Sequence, residues 1–78
     1  MSPGRPRATA AELLRVLDRA GWYEHRQSSG SHLHLRHPDK SGRRVTVPRH
    51  AGITLHPKLV ATILDQADLT ADELRALL

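Results

Sequence analysis

Two short stretches that alternate with period two lie between two stretches with helical spacing. No other feature constrains the fold of this chain as much. Over 32–37, Leu33 and Leu35 fall on one side of an extended chain, and His32, His34 and Arg36 fall on the other. Over 43–48, Val45 and Val47 share a side, opposite Arg44 and Thr46. Such alternation builds a sheet with one covered face and one wet face. A third extended segment, 22–27, opens with Trp22 and Tyr23, the only two aromatic residues. Both favour strands. Ser28-Ser29-Gly30-Ser31 and the run from Pro38 to Gly42 read as turns, so the three strands form an antiparallel meander.

The flanking segments supply the cover. Thr9 and Glu12 form a capping box, in which hydroxyl and carboxylate each accept a backbone N–H at a helix start. Leu13, Val16, Leu17 and Ala20 then make one apolar stripe, and Gly21 stops the helix. After a loop over 49–56, His56 is placed to cap a helix that has Pro57 in its first turn. Val60, Ile63, Leu64 and Ala67 are the stripe of that helix. Thr70 and Glu73 form a second capping box, with Leu69 and Leu74 set as a hydrophobic staple, and a last helix covers roughly 71–78. The predicted fold is α+β: an α-β-β-β-α two-layer sandwich with a three-stranded antiparallel sheet and a short extra C-terminal helix.

Residues 1–8 hold two prolines, a glycine and two arginines and read as a flexible basic arm. Residues 9–78 form a single domain. With 78 residues and no cysteine, the core is small and no disulfide or thiolate-bound metal supplements it. The aliphatic side chains therefore carry the folding, at ~1.5–3 kcal/mol for each leucine fully buried. No apolar run is long enough for a membrane span or a signal peptide, so the expected location is the cytoplasm, with no membrane partner.

Charge directs attention to the middle of the chain. The net charge is +4, but residues 22–50 alone carry +4 and five of the six histidines, while residues 51–78 are acidic. A basic, histidine-rich middle suits an anionic partner, nucleic acid first. Histidine has an unperturbed pKa of about 6.5, near physiological pH. RNA cleavage needs a base for the 2′-hydroxyl proton, an acid for the departing 5′ oxygen, and cations on the phosphate. His32 follows a flexible turn and opens the exposed strand face, while Arg36, Arg43, Arg44 and Arg49 supply charge. Two other readings use the same residues. His32 and His34 point the same way and make a metal pair if His50 or Glu24 adds a third ligand, although the surrounding arginines oppose a dication. Alternatively, the face is a non-catalytic RNA-binding module that grips phosphates and cuts nothing.

Gly21-Trp22, Arg26-Gln27, Gly30-Ser31-His32, His37-Pro38, the run Gly42-Arg43-Arg44-Val45-Thr46-Val47-Pro48 and Ile63-Leu64-Asp65-Gln66-Ala67 together resemble the HicA (YcfA-like) toxins of HicA/HicB toxin–antitoxin modules. The likeness spans about residues 9–69. It implies a fold like a double-stranded-RNA-binding domain and activity as a metal-independent mRNA interferase, with no cofactor. It also implies a catalytic role for His32 as the histidine of the Gly-Ser-His triplet. The implied partners are mRNA and a HicB-type antitoxin, which joins the otherwise monomeric toxin and covers its active site. On this reading Gly30 and Ser31 shape the turn, and Ser31, His34, Arg36, Arg43, Arg44 and Arg49 meet the RNA. His34 is the nearest candidate for a second proton-transfer group. Three departures from the family pattern stand out. Leu55-His56-Pro57-Lys58-Leu59 replaces the usual Leu-Pro-Lys-Gly-Thr, Asp68 stands where a glycine often follows the helix, and the Ser28-Ser29-Gly30 turn is one residue longer.

Overall fold

A computed structural model describes residues 7–29, 32–49 and 52–78. The elements are α1 (Ala10–Arg19), β1 (Tyr23–Ser29), β2 (His32–Arg36), β3 (Val45–Pro48), α2 (Pro57–Gln66) and α3 (Ala71–Leu77). The sheet is antiparallel in the order β1-β2-β3. Fold class and element order are those expected from the sequence.

Both capping boxes form. Thr9 Oγ1 accepts the Glu12 N–H at 3.1 Å while Glu12 Oε1 accepts the Thr9 N–H at 2.9 Å. Thr70 and Glu73 repeat the exchange at 3.0 and 3.1 Å. His56 caps α2, with Nδ1 accepting the Lys58 N–H at 3.1 Å. At the other end of α1, Gly21 N–H reaches the Asp18 carbonyl and Trp22 N–H the Leu17 carbonyl, with Gly21 at φ +98°. This is a Schellman close. Helix α2 closes the same way through Asp68 and Leu69 onto Asp65 and Leu64. Asp68, at φ 58°, takes the left-handed position without a glycine. Aspartate is among the few residues that tolerate it.

The core contains Leu13, Val16 and Leu17 of α1, Val60, Ile63 and Leu64 of α2, and Leu74 of α3, against Leu35, Val45 and Val47 of the sheet. Helices α1 and α2 both pack on β3, and α3 packs on the two helices. The Arg19 guanidinium donates to the Leu77 carbonyl and ties α3 to α1. By contrast, Tyr23, Glu24 and His25 of β1 are all exposed, so the helical layer stops short of the outer strand.

The structure moves three boundaries. Trp22 is not in β1: as the residue that closes α1 it lies in the core, 2% exposed. The strand runs on to Ser29, and its pairing with β2 slips by one residue between Glu24 and Arg26 and again between Arg26 and Ser29. β3 starts at Val45 rather than 43, because Arg43 closes the preceding turn with its N–H on the Lys40 carbonyl. The packed domain also begins earlier than position 9. Ala8 is 2% exposed and its carbonyl accepts the Leu55 N–H at 2.9 Å.

Candidate nucleic-acid interface

The covered face of β2 takes Leu33 and Leu35, so strand alternation turns His32, His34 and Arg36 to the face without helices. The burial pattern agrees: His32 is exposed, Leu33 and Leu35 are buried, and His34 and Arg36 are half-buried. Register places Pro48 and Thr46 of β3 beside His32 and His34. On the other side, Ser29, Arg26 and Tyr23 of β1 stand beside His32, His34 and Arg36. Two strand residues span roughly 7 Å, so the two imidazoles stand within reach of one ribose–phosphate unit. His34 Nδ1 lies 3.1 Å from Thr46 Oγ1, and this cross-strand bond sets the ring's orientation.

Arg44 and Arg49 are exposed at the two ends of β3. Arg43 points elsewhere. Its Nη1 donates to the carbonyls of Asp65 and Gln66 at 3.4 and 3.3 Å, where the carbonyl end of α2 attracts a cation. Gly30 and Ser31, expected to shape the turn before His32, lie outside the described residues, and so does His50, a third ligand of the metal reading. Among the described residues no three His, Asp or Glu side chains gather as a metal site. Nor, among the described residues, is any helix long and apolar enough to cross a membrane.

His37, just past the end of β2, has a definite structural role. Nδ1 accepts the Asp39 N–H at 3.0 Å and Nε2 lies 2.9 Å from the Ala20 carbonyl. Those two partners require the neutral ring with its proton on Nε2. The ring also meets Trp22 edge-on, with centroids 5.3 Å apart. Sequence reasoning passed over Tyr23 and Lys40 as site residues. With Arg36 they line a cleft of about 420 Å³ at the far end of β2 from His32. The missed signal was pairing: Tyr23 is the register partner of Arg36.

A family model described as the HicA toxin of bacterial toxin–antitoxin matches residues 10–69. The same span runs from the first residue of α1 to Leu69, just past α2, and holds all three strands. A search of curated proteins finds no match.

Proposed function

The chain belongs to the HicA toxin family, and from that membership we propose that it is a metal-independent endoribonuclease that cuts mRNA, with His32 as general acid or base. One observation carries the reading. His32 is exposed at the start of β2, on the sheet face that the helices leave open. In the reaction the ribose 2′-oxygen bonds to phosphorus, the bond from phosphorus to the 5′ oxygen breaks, and one proton leaves the former oxygen as another joins the latter. His32 takes one of these proton transfers, and His34, two residues along the same face, is the candidate for the other. Arg36, Arg44 and Arg49 hold the phosphates, with Ser31 as a further RNA contact. Arg43 contributes charge nearby while serving the end of α2.

Membership in a toxin–antitoxin family implies an antitoxin partner. We take it to be of the HicB type and to act in the cytoplasm by covering this open face of a monomeric toxin. The test is expression of wild type and His32→Ala in one host, with growth and transcript integrity followed together. Wild type stops growth and shortens transcripts, and co-expressed antitoxin relieves both effects. His32→Ala does neither while accumulating as folded protein. A His32→Ala protein as toxic as wild type overturns the reading.

A further inference from the structure

Two clefts of similar size flank the β2–β3 turn, and their charge separates them. The first, of about 430 Å³, lies between the ends of α1 and α2 and is lined by Asp39, Asp68 and Glu73 against Arg19 and Lys40. Its acids outnumber its bases. The second, at the start of β1, is lined by Tyr23, His25, Arg36 and Lys40 together with the turn residues Ser41 and Gly42. Among the described residues no carboxylate lines it. Only this second cleft suits an anion.

Its chemistry is more specific than charge. Tyr23 is half exposed, at 50%, on an outer strand that no helix covers. Among the described residues the Arg36 guanidinium has no hydrogen-bond or ion-pair partner, although the residue is half-buried. Lys40 Nζ stands 3.7 Å from Asp68, whose side chain is itself 71% exposed, so that pairing is worth little. An exposed aromatic face beside an arginine and a lysine is the set that single-stranded RNA uses: stacking for a base, cations for the phosphate next to it. A leucine or valine at position 23 would fill the same space without offering a π face.

We propose that this cleft is a nucleotide subsite in which Tyr23 stacks on a base and Arg36, with Lys40, holds the adjoining phosphate. This rests on the reading of the sheet face as an RNA interface. The subsite lies four residues along β2 from His32, roughly 13 Å, so it takes a nucleotide flanking the scissile linkage rather than the scissile ribose. It fixes the direction in which the strand crosses the sheet and requires a base free of its duplex partner.

The experiment measures affinity for short single-stranded RNA whose riboses are all 2′-O-methylated, so that nothing is cut. Wild type, Tyr23→Ala and Tyr23→Phe are compared, each checked for an unchanged thermal unfolding curve. Loss of one base stack weakens binding about 5- to 150-fold, so Tyr23→Ala falls by that factor and Tyr23→Phe stays near wild type. A second series places one abasic nucleotide at each position in turn. At one position the wild type loses the same factor and Tyr23→Ala loses nothing further. Wild-type binding with Tyr23→Ala unaffected overturns the subsite and leaves the RNA interface standing. Absence of wild-type binding overturns both.

Discussion

Gly21 shows how much a single residue can settle. Its φ of +98° is one that L side chains rarely adopt, and a Cβ built there would sit 2.6 Å from His37 Nε2. Gly42, at φ +85°, has open space where its Cβ would go. The two glycines therefore separate backbone strain from collision. Gly42→Ala is expected to cost about 1–2 kcal/mol, the left-handed penalty alone. Gly21→Ala is expected to cost more, because His37 must also leave the Ala20 carbonyl. In the background of His37→Ala, the cost of Gly21→Ala falls to the level of Gly42→Ala. Urea unfolding of the four proteins measures this cycle, and strict additivity contradicts it. Sequence alone marked Gly21 as a helix stop, but the collision depends on a residue sixteen positions away and could not be read there. Asp68 is the converse case. It departs from the glycine that often follows this helix in the family, and the structure keeps the left-handed turn with aspartate in it.

At the scale of elements, local signals were the legible ones. Capping boxes, helical stripes and strand alternation each depend on residues a few positions apart, and each forms where the pattern placed it. Where distant groups decide, the pattern fell short. The third strand was expected to start at Arg43, yet the Arg43 guanidinium is drawn to the end of α2, twenty-two residues on. Likewise the Thr46 N–H on the outer edge of β3 finds Gln66 Oε1 at 3.4 Å, a pairing no local rule proposes. The cap on α1 gives the prediction at this scale. Thr9→Ala strips the Glu12 N–H of its acceptor and is expected to cost about 1 kcal/mol. That is a fall in Tm of roughly 4–8 °C for a domain of this size, read by thermal unfolding. The proposed site residues lie on other elements, so the proposed RNA cleavage per folded molecule should be unchanged. A loss of activity beyond the unfolded fraction would mean that α1 takes part in the site.

Across the whole molecule the layers divide the work. The helices and the aliphatic face of β2 and β3 hold the fold, while Tyr23, Glu24 and His25 of β1 are exposed and the open face of β2 carries His32, His34 and Arg36. RNA affinity should then fall with salt, with a slope in log–log form of roughly −0.7 for each phosphate neutralised on a single strand. Arg44→Ala is expected to make that slope shallower by about 0.7 without affecting stability. Arg43→Ala should instead lower the unfolding midpoint, because the α2 carbonyls lose their donor. Affinities measured from 50 to 300 mM salt distinguish the two arginines. What the sequence placed correctly at this scale was the sidedness: His32, His34 and Arg36 do share the face away from the helices. It could not show which cations the fold uses internally, since that depends on how α2 ends against β3. The most direct test of the account is end-labelled RNA incubated in EDTA with purified wild type and with His32→Ala, both verified as folded. Wild type should generate products in the chelator, and the variant should be slower by at least about a hundredfold, as expected for loss of a general acid or base. Cleavage by His32→Ala at the wild-type rate would contradict the account.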